Sequence, residues 1–222
     1  MFDYLISRKK ENYLKNMQIH TIYPRGFASN AYAITADNKT AIIVDPSQPR
    51  VQAEIEKRGL IPVCVLLTHC HFDHVGCVDL LQAQGAKVYT SAAEKPLTCT
   101  SADMAQAFGA PQTQYTVDET FADGETKTLC GIRITAIFTP GHTKGSVCYL
   151  LEHNGEKALI TGDTLFAGSV GRCDLLTGNT GELMQSLKKL LALKEDLPIY
   201  SGHGEETTLF TEQKTNPFLQ DL

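Results

Sequence analysis

The stretch LLTHCHFDHVGC, residues 66–77, places three histidines and an aspartate within positions 69–74, directly after an apolar run. The whole chain holds seven histidines. A single histidine at the end of a strand is more often structural than a ligand. Three clustered imidazoles repel one another when protonated, however, and the end of an apolar strand offers them no other use. The cluster therefore predicts a metal site.

Further apolar runs end in the same kinds of residue. Two of them end in an aspartate and two lead to a histidine, namely Asp45, Asp163, His142 and His203. In open α/β sheets, ligands bind at the carboxyl ends of the strands. Five of the seven histidines therefore belong to predicted strand ends, and the remaining two, His20 and His153, receive no role.

The hydrophobic pattern alternates between short apolar runs and helical repeats, which predicts an α/β fold. Strands are expected at residues 41–45, 61–69, 86–91, 132–138, 146–152, 157–163 and 197–203. Helices are expected at residues 49–59, 75–85 and 179–194, the last with a capping-box arrangement of Asn179 and Glu182. Residues 99–127 show little apolar pattern, so we expect an irregular, functional segment over one face.

A pair of metal ions suits the clustered residues, because neutral imidazole and carboxylate oxygen bind zinc, iron or manganese. Residues two apart in an extended segment face the same way. The first ion is therefore expected on His69, His71 and His142. The second ion is expected on Asp73, His74 and His203. We expect two divalent ions, with zinc as the first choice and iron or manganese as alternatives.

The carboxylates of this set have separate predicted roles. Asp163 is expected to bridge the two ions with its two oxygens, and Asp73 and Asp163 are the predicted catalytic residues. A site of this kind holds a hydroxide between ions about 3.5–4 Å apart and polarises a carbonyl. Asp45 has two interpretations: a plain aspartate between strand and turn, or a residue that orients a ligand histidine from behind.

Length and composition narrow the class of protein. The 222 residues suit one domain over 1–222, with residues 1–17 standing apart as an N-terminal extension. The net charge of −5 provides no excess of lysine and arginine for a nucleic acid or an anionic membrane. Seven cysteines without a C-x-x-C motif favour reduced thiols. No secretory signal or apolar span of about 18 residues is visible, so a cytoplasmic location is expected.

The ordered motifs resemble those of the metallo-β-lactamase superfamily. An early aspartate, Asp45, is followed by THCHFDH (68–74), TPGHTKGS (139–146), TGDTLF (161–166) and SGHG (201–204). The stretches GDTLF (162–166), GSVGRCDL (168–175) and TNPFL (215–219) are similar to the short glyoxalase II-like branch. This resemblance implies an αββα sandwich of two mixed sheets flanked by helices, with a dimetal site along one edge.

The same resemblance implies a hydrolase that acts on a small-molecule thioester or activated ester. Asp163 stands where many zinc β-lactamases have a cysteine, which disfavours antibiotic hydrolysis. Only 19 residues follow His203, where full glyoxalase II has a helical domain that recognises glutathione, so weak glutathione recognition is expected. Arg172 and Asp174 are expected to form a structural salt bridge.

Two other functions are open alternatives. The first is an oxygenase similar to persulfide dioxygenases, with one iron on His69, His142 and Asp163, the arrangement of two histidines and one carboxylate. The second is a binding module without catalytic activity, stabilised by metal in a closed ligand shell. The oligomeric state is not predicted.

Overall fold

The computed structural model describes residues 16–220 and residue 222. Within them the chain forms two six-stranded sheets and a two-stranded ribbon. The strands are β1 Gln18–Ile22, β2 Ala31–Thr35, β3 Thr40–Val44, β4 Ile61–Leu66, β5 Lys87–Ser91, β6 Glu119–Phe121, β7 Thr126–Leu129, β8 Ile132–Phe138, β9 Val147–His153, β10 Glu156–Gly162, β11 Leu165–Phe166, β12 Ser169–Val170, β13 Pro198–Ser201 and β14 Thr207–Thr208. The α-helices are α1 Arg50–Lys57, α2 Phe72–Val75, α3 Val78–Ala83, α4 Thr180–Leu191 and α5 Leu209–Thr215, with short 3-10 turns at Lys95–Leu97, Ser101–Asp103 and Pro217–Leu219.

Each of the two sheets mixes parallel and antiparallel pairs. The first sheet runs β1 to β6 in chain order, antiparallel from β1 to β3 and parallel from β3 to β6. The second has the order β14-β13-β10-β9-β8-β7, in which β10 and β13 are parallel and the other neighbours are antiparallel. This arrangement confirms the predicted sandwich of two mixed sheets.

The inner faces of the sheets pack on each other through side chains that alternate along the strands. On β8, Ile132, Ile134 and Ala136 are fully buried in this inter-sheet core, and Arg133 between them is exposed. Tyr32 of the first sheet and Tyr149 of the second are among the largest fully buried side chains. Full burial of an aliphatic side chain such as that of Ile132 or Ile134 stabilises the folded state by about 1.5–3 kcal/mol.

Helices cover the outer faces and complete four layers. In α4, Leu183, Leu187 and Leu190 form a buried stripe against the second sheet. The side chain of Asn179 accepts a hydrogen bond from the Glu182 N–H at 3.0 Å, which caps this helix at the predicted residue. The outer face of the first sheet is covered in the same way by α1 and α3, through Val51, Ile55, Val78 and Leu81.

All seven predicted strands are present, but two of them end two or more residues earlier than expected. The strand predicted at 61–69 ends at Leu66, and the one at 197–203 ends at Ser201. The histidines beyond them therefore lie in loops. The pattern missed β1, β2, β6 and β7 along with the two-residue strands and α5. The segment 99–127 is mostly irregular, as predicted, but it ends in β6 and the start of β7.

The helix predicted at 75–85 is wrong at its start. The chain instead forms the single turn α2 and then the separate helix α3, which ends at Ala83. Gly76 lies between the two helices, and a Cβ there would overlap the carbonyl oxygen of Ser47. This close contact with the loop after β3 leaves no room for a side chain at position 76.

All seven cysteines lie in the described part of the chain and are free thiols, in agreement with the predicted reduced state. Among the helices of residues 16–220, none combines the length and apolar character needed to cross a membrane. The single-domain organisation over 1–222 stays a prediction. The predicted N-terminal extension lies outside the described residues, apart from its last two positions.

Candidate metal centre

The structure brings all seven predicted ligands together at one edge of the sandwich. Four of them follow β4 of the first sheet, two in the loop and two in the turn α2: His69, His71, Asp73 and His74. The other three follow β8, β10 and β13 of the second sheet: His142, Asp163 and His203. Their role as metal ligands remains a prediction, but their convergence from seven separate chain positions is a structural fact.

The ligand atoms form three overlapping groups, in each of which one atom from every side chain lies within 4.8 Å of the others. Two of these groups correspond to the two predicted ions; they are His69, His71, His142 and Asp73, His74, His203. The third group joins His69 and His74, one histidine from each set, to Asp163, which lies between them. Its Oδ1 is 3.3 Å from His74 Nε2, and its Oδ2 is 3.5 Å from both His142 Nε2 and His203 Nε2. A carboxylate in this position can bridge two ions.

Several polar atoms of the seven predicted ligands are buried and lack hydrogen bonds. They are His69 Nε2, His71 Nε2, His74 Nε2 and Asp163 Oδ1. The 3.3 Å approach of His74 to Asp163 does not have hydrogen-bond geometry. An unsatisfied buried polar atom typically costs about 1–3 kcal/mol. Several in one place, all imidazole nitrogen or carboxylate oxygen, fit a bound cation of the zinc, iron or manganese type.

Asp45 orients two of the histidines from behind. Its Oδ2 accepts hydrogen bonds from His74 Nδ1–H at 2.9 Å and from Thr68 Oγ1 at 2.6 Å. The Thr68 hydroxyl in turn lies 3.1 Å from His69 Nδ1. Both rings thereby direct Nε2 toward the centre, a standard way for outer residues to fix metal ligands. Of the two interpretations of Asp45, these contacts support the orienting role.

The backbone at two further points also shapes the centre. Asp45 has a φ of +45°, a strained conformation for a residue other than glycine, and its buried hydrogen bonds hold it there. Gly202 is required for a different reason, since a Cβ at this position would overlap the Asp163 carboxylate. His142 is held by its Nδ1–H, which donates to the carbonyl oxygen of Arg172 at 2.7 Å.

The protonation of the ligands differs between the two groups. Burial and the neighbouring imidazoles lower the pKa of His71 to about 3 and that of His69 well below its usual range. Both rings are therefore neutral at pH 7, the form that binds metal. Burial also disfavours charge on His203, but the Asp163 and Asp73 carboxylates, 3.5 and 3.3 Å from its Nε2, outweigh it and raise the pKa to about 9. Metal binding at His203 would therefore release a proton at pH 7.

Glu94 is a fully buried carboxylate that the sequence did not identify. One oxygen accepts a hydrogen bond from the Cys70 backbone N–H at 2.8 Å, between His69 and His71. The other accepts one from the Thr143 hydroxyl at 2.9 Å, next to His142. A single side chain thus links the two loops that supply the first group. In the sequence, the AAEKP context resembles a surface turn, and only its position just after β5 connects Glu94 with the site.

A cleft of about 850 Å³ opens over the centre. Its floor is formed by predicted ligands: His71, Asp73, His142, Asp163 and His203. The 99–127 segment contributes Met104 and Phe108 to one wall, which agrees with its predicted position over a face. Arg172 is at the rim, in the predicted salt bridge with Asp174, at 2.6 and 2.7 Å.

The link through Glu94 predicts an effect on metal affinity. Glu94→Ala leaves the Cys70 N–H and the Thr143 hydroxyl without this partner, so we expect metal affinity to fall about 10–100-fold, as for other outer residues. Glu94→Gln keeps one acceptor and should lose less. Competition with a chromophoric chelator at pH 7 measures the affinity. Glu56→Ala, an exposed glutamate on α1, is the control, and wild-type affinity in Glu94→Ala would contradict the positioning role.

Comparison with known proteins places the chain in a family. The sequence profile of the metallo-β-lactamase superfamily matches residues 24–203. The "Probable metallo-hydrolase YqgX" of Bacillus subtilis is 36% identical over 198 residues, covering 86% of this chain and 92% of that protein. The "Hydroxyacylglutathione hydrolase GloC" of Haemophilus influenzae is 37% identical over 210 residues, covering 91% and 98%.

Solved structures of similar proteins support the same family assignment. A structure described as the BLEG-1 B3 metallo-β-lactamase has a TM-score of 0.84 and 33% identity, covering 91% of this chain and all of that one. A structure of TTHA1623 in a di-iron-bound form has a TM-score of 0.75 and 34% identity, with the same coverage. The resemblance predicted from the motifs is confirmed, and the chain belongs to the metallo-β-lactamase superfamily, whose members bind divalent metals and include hydrolases.

Proposed function

We propose that this chain is a hydrolase that uses two divalent metal ions to cleave a small-molecule thioester or related activated ester. The observation that carries the proposal is the position of Asp163, whose two oxygens contact both three-residue groups. We propose no nucleic-acid or membrane partner, in keeping with the net charge of −5.

The predicted ligands and Asp45 would have separate roles in this reaction. The first ion would be held by His69, His71 and His142, and the second by Asp73, His74 and His203, with Asp163 shared. When bound, the ions supply a hydroxide nucleophile at neutral pH and polarise the carbonyl of the substrate. Asp45 keeps His74 in the tautomer that presents Nε2. Before metal binds, burial raises the pKa of Asp73, but His74 nearby outweighs it and lowers the pKa, so this carboxylate is already ionised at the cleft floor.

The thioester class is supported by the relative from Haemophilus influenzae that is named a hydroxyacylglutathione hydrolase. Either zinc or iron suits the donor set, and the likeness to a di-iron structure supports iron as a serious alternative to zinc.

β-Lactam hydrolysis is a second candidate, supported by the likeness to a structure described as a B3 metallo-β-lactamase. We rank it below thioester hydrolysis because Asp163 occupies the position at which many zinc β-lactamases have a cysteine. Turnover of a chromogenic cephalosporin by the metal-loaded protein, measured beside thioester turnover, separates the two activities.

The two groups predict a metal stoichiometry. Saturation with zinc should give two ions per chain, and His203→Ala should reduce this to one because the second group loses a ligand. His153→Ala, at a half-buried histidine outside the centre, should retain two. Elemental analysis after gel filtration measures the ratio. A saturated wild-type ratio of one would favour the mononuclear oxygenase alternative.

At lower pH, protons on His203 compete with the metal, so metal affinity should fall as the pH drops below about 9.

The bridging position predicts a ranking of two aspartates. Asp163→Asn should lower kcat/KM more than 100-fold, because the side chain contacts both groups. Asp45→Asn acts only through His74 and Thr68 and should lower it about 10–100-fold. Asp123→Asn, at an exposed aspartate paired with Lys189, is the matched control. Equal activity of the Asp163 and Asp45 variants would refute the bridge.

The rim of the cleft predicts weak recognition of glutathione. Among the described lining residues, Arg172 is the sole lysine or arginine, and it is paired with Asp174. We expect lactoyl-glutathione to exceed the lactoyl thioester of a small uncharged thiol by at most about tenfold in kcat/KM, or roughly 1.4 kcal/mol. A thousandfold preference would contradict this expectation, and no turnover of any thioester would refute the proposed function itself.

A further inference from the structure

Large apolar side chains lie exposed around the mouth of the cleft. Phe27, in the loop between β1 and β2, has 96% of its surface exposed, and Phe108 has 54%. Both line the cleft above the metal centre. Single exposed hydrophobic residues are common on protein surfaces, but a group of them around a concavity marks a ligand-binding groove.

Aromatic rings stand on several sides of the centre. Phe72, next to His71, stacks on Phe108 with ring centroids 5.4 Å apart and an interplanar angle of 30°. Phe166 meets the ring of His203 edge to face at 5.9 Å. These aromatic residues come from segments far apart in sequence, so the apolar surface is built by the fold and is not one local hydrophobic run.

The Phe27 loop is anchored at its base beside the second group. The Ser29 N–H donates to the carbonyl oxygen of Asp73 at 2.9 Å, and the Asn30 N–H donates to that of Gly202 at 2.7 Å. The Asn30 side chain adds hydrogen bonds to the carbonyl oxygens of Ser201 and Gly204. These bonds fix the end of the loop two and three residues after Phe27.

Outside the predicted metal ligands, the described lining of the cleft offers no unpaired cationic side chain for a strongly anionic group. Asp73 and Asp163 on the floor are predicted ligands, and the guanidinium of Arg172 is occupied by the Asp174 carboxylate. Among the lining residues described, no unpaired lysine or arginine remains to bind a carboxylate or phosphate. The surface left to the non-reacting part of a substrate is aromatic and aliphatic.

We propose that this cleft is a binding subsite for an apolar substituent of the substrate, a medium-length aliphatic chain or an aromatic ring carried by the thioester. The inference rests on the proposed hydrolase function and adds the chemical class of the substituent. Its 850 Å³ is within the size of pockets that enclose small ligands. The apolar group belongs either to the acyl or to the thiol portion of the thioester, and both give the same contacts with the aromatic walls.

Two series of substrates test the subsite in the metal-loaded protein. One series lengthens the acyl group from acetyl to butyryl, hexanoyl and phenylacetyl on a constant small thiol, and the other lengthens the thiol on a constant acetyl group. We expect kcat/KM to rise at least tenfold along one series, because each buried methylene favours binding. Whichever series rises identifies the portion that occupies the cleft. Flat or falling values in both series, with measurable hydrolysis, overturn the proposal.

Substitutions of two cleft phenylalanines test whether these rings contact the apolar substituent. Phe27→Ala and Phe108→Ala should each reduce the hexanoyl-to-acetyl ratio, or the matching thiol ratio, at least threefold. Phe218→Ala, at a phenylalanine that is 50% exposed but does not line the cleft, should leave the ratio unchanged. Because Phe27 is almost fully exposed, its replacement has little effect on folding. A ratio unaffected by both cleft variants overturns the proposal.

A binding measurement separates this inference from the proposed function. Titration calorimetry compares 4-phenylbutyrate with acetate and hexanethiol with ethanethiol. At least tenfold tighter binding of one apolar ligand, reduced in Phe27→Ala, supports the subsite even if no thioester is hydrolysed, in which case only the hydrolase proposal fails. Equal binding within both pairs overturns the subsite even if hydrolysis is observed.

Discussion

The hydrogen bonds accepted by the Asp45 carboxylate are the interaction on which the centre depends. This buried side chain binds Thr68 through both backbone and hydroxyl, and it binds the ring of His74. Through Thr68 it also reaches His69. A carboxylate without such partners would be costly to bury. The bonds satisfy it and also fix the loop after β4 and the orientation of two imidazoles.

The sandwich explains why the other ligands meet this loop. β4 of the first sheet and the parallel pair β10 and β13 of the second end at the same edge of the sandwich, so the residues that follow them converge without a long connection. Glu94 supplies a second bond across the edge, because it joins the backbone beside His71 to the loop that carries His142. Rigid layers and two buried carboxylates therefore position donors from both sheets within a few ångströms.

The sequence predicted features with a strong local signal. The apolar strands, the capped helix α4 and the polar residues at strand ends were recognisable because each repeats a pattern within a few residues. The short strands β6 and β7 and the break at Gly76 depend on contacts with distant residues and left no such pattern. Glu94 was missed for the same reason: its partners, Cys70 and Thr143, are 24 and 49 positions away. The aromatic cleft is likewise visible only after folding.

The division of the predicted ligands between the two sheets would link metal supply to the lifetime of the fold. Part of the first group follows β4 of one sheet, and His142 follows β8 of the other, so an ion bound there would connect the two sheets. Global unfolding would have to release it, and an excess of metal at 1,000 times its dissociation constant adds about 4.1 kcal/mol to the stability. In a cell starved of metal, the chain would open more often at this edge and be degraded sooner by proteases.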